Sequence, residues 1–303
     1  MFWAFLSRLF HIAQGRLVYL LALLDIPIGY FEKQRFQLRR LPHPRNNNDN
    51  HENTKKVLLI SFAGSTFLVG GFPRAEFQTV LEKAAERCGV AADCLFLVDP
   101  SVTFYTKSSS HAQRRSKRFG TWEGWDEVVE DINQLIAAEG YDKVVAVGSS
   151  MGATAILALV GRFRRCDTAV VFNPLVDLVH ESRLGFYVGG LRLPPHIRHN
   201  LPDIMAEQCL ASSRRGTNVM VHYSQHSPKD IVQLQYLQDA IRARQEKTDR
   251  ERDDNILDTI GHDTSKHVLA RELKKRQELL PLLEDALRKT LLLREQDDKK
   301  TKQ

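Results

Sequence analysis

Cysteine is scarce in this 303-residue chain, which has only Cys88, Cys94, Cys166 and Cys209. Four are too few for a disulfide scaffold, and none are spaced C-x-x-C, which argues against a cysteine zinc site. They read as reduced thiols in a reducing compartment, so the chain is expected to be intracellular, either cytoplasmic or peripheral on a membrane. A strong charge of one sign is also lacking. The 43 basic and 37 acidic residues leave a net charge of +6. No base-reading motif accompanies that excess, so nucleic acid is not an expected partner. The basic clusters at Lys33–Arg45 and at Arg114, Arg115, Lys117 and Arg118 read as solvated loops. The other reading is attraction to anionic headgroups or an anionic substrate. Internal repeats are absent, as are the G-x-x-x-x-G-K-[ST] and G-x-G-x-x-G signatures of nucleotide binders.

Residues 1–31 lack an apolar run long enough to span a bilayer. Leu17–Leu24 is the longest, closed by Asp25 and Pro27, where about 20 residues are needed. No small-residue cleavage site stands out in this stretch. Phe2, Phe5, Leu6, Leu9, Ile12, Ala13 and Leu17 recur at helical spacing. That fits an amphipathic helix lying on a membrane, and equally one packed on the domain, with a true membrane span as the third reading. Residues 1–40 are thus read as an N-terminal helical segment, and 41–56 (LPHPRNNNDNHENTKK) as a polar linker.

What is present is globular composition, 43% hydrophobic and 26% charged. From Lys56 onward, apolar strands alternate with helices. Strands are predicted at Val57–Phe62, Cys94–Val98, Val144–Val147, Ala169–Phe172, Val219–Tyr223 and Asn255–Ile260. Helices are predicted at Phe77–Cys88, Trp125–Glu139, Ala153–Val160, Ile231–Arg244, Lys266–Lys275 and Leu279–Leu293. Continuous apolar strands between helices imply an α/β domain, a mostly parallel sheet covered on both faces. The domain should occupy 57–293, followed by a frayed charged tail at 294–303.

The informative segment is VVAVGSSMGATAILA. Gly148-Ser149-Ser150-Met151-Gly152 is a G-x-S-x-G pentapeptide set between an apolar strand and a small-residue helix. That is the setting of a nucleophile elbow. The turn is so tight that side chains two before and two after the serine would collide, hence Gly148 and Gly152. Ser150 would project its hydroxyl above the sheet, and the Met151 N–H would face a developing oxyanion. A serine needs a base and an orienting acid, which in this fold follow in the order Ser, Asp or Glu, His. Asp230 lies in a loop after VMVHY, and His262 follows Gly261 after the last strand. Asp230 could instead cap the helix starting at Ile231, and Asp177 is the rival acid. His222, His226 and His267 are less well placed than His262 for the base. The second oxyanion donor should come from Ala63 or Gly64, in the loop after VLLISF.

On these residues the chain resembles the α/β-hydrolase superfamily over roughly residues 56–285. The matching features are the strand and elbow at 148–152, Asp230 after the penultimate strand, and Gly261-His262 after the last. The SFAGS segment takes the place of the histidine–glycine oxyanion loop of lipases and esterases but lacks their histidine. The resemblance implies acyl transfer to water through an acyl-enzyme on a carboxylic ester or thioester, lipid-like if residues 1–31 touch a membrane. It requires no metal and no organic cofactor. It also implies that residues 178–217 form a cap over the site. An acyltransferase with the same triad, or a catalytically silent hydrolase-like binding module, are the competing readings.

Overall fold

The computed structural model describes residues 36–41, 56–64, 77–99, 105–106, 122–179, 193–247 and 256–300. Residues 1–31, read above as an amphipathic segment, lie outside that set. No helix among the described residues is long and apolar enough to cross a membrane.

Among the described residues, seven strands form one sheet. In chain order they are β1 (Phe36–Arg40), β2 (Lys56–Phe62), β3 (Ala91–Leu97), β4 (Lys143–Ser149), β5 (Thr168–Phe172), β6 (Asn218–Ser224) and β7 (Asp258–His262). The helices are α1 (Gln78–Cys88), α2 (Trp122–Glu139), α3 (Met151–Leu159), α4 (Pro195–Ser213), α5 (Pro228–Lys247), α6 (Leu269–Lys275) and α7 (Leu279–Lys300). The spatial order is β1-β3-β2-β4-β5-β6-β7. All neighbours are parallel except β1, which runs antiparallel along β3.

The inner parallel strands are apolar on both faces because both faces are covered, whereas the edge strand β7 (DTIGH) is partly exposed. Leu58, Ile60 and Phe62 of β2 enter one core with Trp125, Ile132, Ile156, Leu201 and Met205. Val57 and Leu59, on the opposite face, join a second core with Leu81, Leu273 and Leu283. Successive strand side chains alternate between faces, so one apolar run fills two layers.

The structure corrects four of the boundaries predicted above. First, the domain does not begin at residue 57. β1 lies inside the segment assigned to residues 1–40, and 41–56 joins two strands of the same sheet. The charge in FQLRR is that of an edge strand: Arg39 pairs with Glu82 at 3.5 Å and Arg40 with Glu139 at 2.9 Å. Second, part of the expected cap is core. Within 178–217, α4 buries Ile197, Leu201, Met205 and Cys209 among the residues of the first core. Residues 180–192 lie outside the described set. Third, α2 begins at Trp122, so the loop after β3 is shorter than expected. Fourth, α7 continues through Lys300 into the segment read as a frayed tail.

The core placement of α4 has a stability consequence. Met205 is fully buried, and truncating a buried methionine leaves a cavity worth about 2–5 kcal/mol. Met205→Ala should lower unfolding stability by that order in chemical denaturation, whereas a peripheral cap helix would tolerate the change with under about 0.5 kcal/mol.

Candidate active site

Ser150 stands between β4 and α3 with φ 48° and ψ −114°. A positive φ in a non-glycine residue costs on the order of 1–3 kcal/mol, so the surroundings must hold it. The Ser150 N–H donates to Phe172 O at 2.8 Å, and Ser150 O accepts the Thr154 N–H at 2.9 Å. The Thr154 hydroxyl lies 3.1 Å from Ser150 O and 2.9 Å from Leu175 O, and accepts the Leu175 N–H at 2.9 Å. One threonine thereby ties the elbow to the loop after β5.

Both glycines are required by contact. A Cβ on Gly148 would sit 2.8 Å from the Gly152 carbonyl carbon and 2.8 Å from Ile156 Cδ1. A Cβ on Gly152 would fall 2.7 Å from the carbonyl carbon of Phe62 in the adjacent strand. Nothing but hydrogen fits at either position, as the tight turn predicted.

Asp230 is 2% exposed and sits in the first turn of α5. It is not a helix cap. The helix begins at Pro228, and Ser227 precedes it. Ser227 O accepts the Ile231 N–H at 3.1 Å, and Ser227 Oγ faces the Asp230 N–H at 3.4 Å. Serine takes the cap and proline the first helical position, which leaves the Asp230 carboxylate for other use. Oδ1 meets Nδ1 of His267 at 2.5 Å, and Oδ2 accepts the Asn173 amide N–H at 3.1 Å. The rival acid, Asp177, turns its Oδ1 onto its own loop, accepting the Val179 N–H at 2.9 Å.

The histidine that Asp230 holds is therefore His267, and the expectation of a pair between Asp230 and His262 is corrected. His262 lies inside β7, in register with Ser224, not in the loop beyond it. Its Nε2 is 2.9 Å from Nδ1 of His222. His222 is itself buried, and stacks on Phe172 at 4.9 Å between ring centroids. Burial, reinforced by the neighbouring His262, pushes the His222 imidazole down to about 3. His262 is lowered too, by burial first, with Glu278 opposing and Arg276 adding. Both rings are thus neutral and share one hydrogen. His226 meets Asp263 at 2.9 Å, but these side chains are 63% and 90% exposed, so solvent screens the pair.

His267 lies in the loop between β7 and α6, its side chain 29% exposed. With Nδ1 on the carboxylate, its free role is at Nε2. The sequence signal was present in GHDTSKH, which offers two histidines five residues apart. The place where β7 ends chooses between them.

The two candidate oxyanion donors separate. The Ala63 N–H is spent on Leu97 O at 3.0 Å, and the Tyr105 hydroxyl lies 2.9 Å from Ala63 O and 3.0 Å from Leu97 O. Ala63 is thus locked into the extended sheet, and its donor is removed from candidacy. Gly64 follows it, and is buried. Met151 opens α3, and the first N–H groups of a helix have no intrahelical acceptor. No three His, Cys, Asp or Glu residues cluster to hold a metal ion among the described residues.

No family model matches the chain, and no curated protein sequence matches it. Solved structures resemble it in outline. A capsule O-acetyltransferase of Neisseria meningitidis serogroup A is 11% identical over 81% of this chain and 90% of its own, with a TM-score of 0.49. An esterase of Pyrococcus furiosus is 10% identical over 85% and 92%, at 0.47. A ferulic acid esterase is 8% identical over 81% and 90%, also at 0.47. The chain has an α/β-hydrolase fold, as its strand order, its single antiparallel edge strand and the elbow after β4 establish.

The His222–His262 pair has a measurable signature. The folded imidazole of His222 binds its proton only near pH 3, against about 6.5 when unfolded. Between those values the unfolded chain takes up a proton that the folded chain refuses, so stability falls as pH falls. In His222→Phe, which keeps the ring stack, melting temperature followed from pH 6.5 to 4 should decline less steeply than in wild type. Parallel curves would contradict a neutral buried pair.

Proposed function

We propose that this protein is a serine hydrolase that cleaves a carboxylic ester or thioester through an acyl-enzyme on Ser150. The observation that carries the reading is the buried Asp230 carboxylate on Nδ1 of His267 at 2.5 Å. It stands in the same fold as a serine held at positive φ between two obligatory glycines. Strain held at one residue by its surroundings is concentrated at active sites.

In this mechanism the Ser150 Oγ attacks the acyl carbonyl carbon while His267 Nε2 takes its proton. The resulting imidazolium donates its Nδ1–H to Asp230, which fixes the tautomer and stabilises the positive charge. The carbonyl oxygen becomes an oxyanion facing the N–H groups of Met151 and Gly64, close to the amino end of α3. Collapse expels the alcohol or thiol, protonated by His267. Water then attacks the acyl-serine, giving its proton to the same nitrogen, and the acid leaves with Ser150 restored.

Two histidines make the reading decisive to test. Hydrolysis of a short p-nitrophenyl ester and labelling by a fluorophosphonate should both fall by about 10³-fold or more in Ser150→Ala and His267→Gln. His262→Gln should stay within about tenfold of wild type. Full turnover by Ser150→Ala, or a loss in His262→Gln with none in His267→Gln, would overturn the assignment.

A further inference from the structure

Asn173 is the first residue after β5. It is 2% exposed and adopts a left-handed conformation at φ 46°. Its neighbour Phe172 accepts the Ser150 N–H at 2.8 Å. Its own N–H donates to His222 O on β6 at 2.9 Å. Its side-chain nitrogen faces three acceptors: Asp230 Oδ2 at 3.1 Å, Ser224 Oγ at 3.3 Å and the backbone carbonyl of His267. Because all three are acceptors, the orientation of the amide follows from chemistry: the nitrogen must face them. The Ser224 hydroxyl passes its own proton to Lys266 O at 2.7 Å. The two carbonyls that carry the loop into His267 are thus both tied down, one directly by Asn173 and one through Ser224.

The other end of the amide pays for this arrangement. Asn173 Oδ1 is buried without a hydrogen-bond partner. A buried acceptor left unsatisfied bears its full desolvation penalty. Asparagine takes a positive φ more readily than most residues, so the cost to be explained is the orphan oxygen. The gain lies on the nitrogen side, where one amide touches the acid and the backbone of the base, next to the strand end that holds the nucleophile.

We infer that Asn173 is a positioning residue that sets the carboxylate of Asp230 and the ring of His267 in register with Ser150. The inference rests on the triad proposed above. The titratable groups against its amide are Asp230 from α5 and His267 from the β7–α6 loop. Removing the amide frees the His267 loop and takes one donor from Oδ2. Misplacing a base by about 1 Å costs about 10²-fold.

The test follows fluorophosphonate labelling of Ser150 against pH in two variants, with folding checked by circular dichroism. Asn173→Gly tolerates the positive φ and deletes the amide, so its labelling should be about 10²-fold slower with the fold intact. Asn173→Asp keeps the shape, but its carboxyl can donate to Asp230 only while protonated, since two adjoining carboxylates resist ionising together. Its labelling should therefore rise and then fall with increasing pH, where wild type rises to a plateau. Wild-type rates in Asn173→Gly, or a flat or wild-type-shaped profile in folded Asn173→Asp, would overturn the inference. No labelling of the wild-type chain would instead overturn the triad reading itself.

Discussion

The tightness of the turn at Ser150 is the constraint on which the rest of the site depends. The strand must hand over to the helix within one residue, and the Gly152 backbone must pass against the Phe62 carbonyl. That closeness presses α3 onto β2 and sets the height of the Ser150 side chain above the sheet. It also explains the composition of α3, which is entirely buried and built from small and aliphatic residues. A larger residue at 148 or 152 would lift the helix and relax the serine from its strained conformation. The backbone bonds to Phe172 and Thr154 offset that strain locally, and the two cores offset it globally. The positioning of Ser150 is thus distributed over β2, β4, β5 and α3.

Around that turn, polar groups are used sparingly and in pairs. Thr154 links the elbow to Leu175, Gln233 Oε1 accepts the N–H groups of Val176 and Asp177 at 2.5 and 2.7 Å, and Asn173 spans the segments carrying Asp230 and His267. Three side chains therefore stitch the loop after β5 to α3, to α5 and to the segment carrying His267. A loop left unstitched at the carboxyl edge of a sheet would be mobile, and a displaced imidazole is a poor base.

How legible the protein was in its sequence varied with the kind of constraint. The inner parallel strands were visible because burial on both faces makes them continuous apolar runs, and VLLISF and VVAV need no partner to be read. The elbow was visible because steric exclusion acts at fixed offsets along the chain. β1 was hidden because an edge strand is allowed charge, so FQLRR looked like a basic loop. α4 was hidden because it carries Pro195 and Pro202, which interrupt a helical pattern, although one sits in the first turn and the helix accommodates the other. The choice of histidine turned on two residues. Ending β7 at Ile260 puts His262 in the loop, while its pairing with Ser224 keeps it in the strand beside His222. Side-chain pairing across the sheet decided that, and no local pattern encodes it. Asn173 was passed over for the same reason, since an Asn-Pro step after a strand looks only like a turn.

The reversed direction of β1 has a topological consequence. Phe36 is level with Leu97, Leu97 with Phe62, and Phe62 with Gly148. With strands about 4.8 Å apart, the chain enters the sheet roughly 15 Å from the elbow, on the rim that bears Ser150. Had this strand run parallel, the entry point would lie at the opposite rim. The chain ahead of Phe36 therefore joins the sheet on the same rim as Ser150, three strands away.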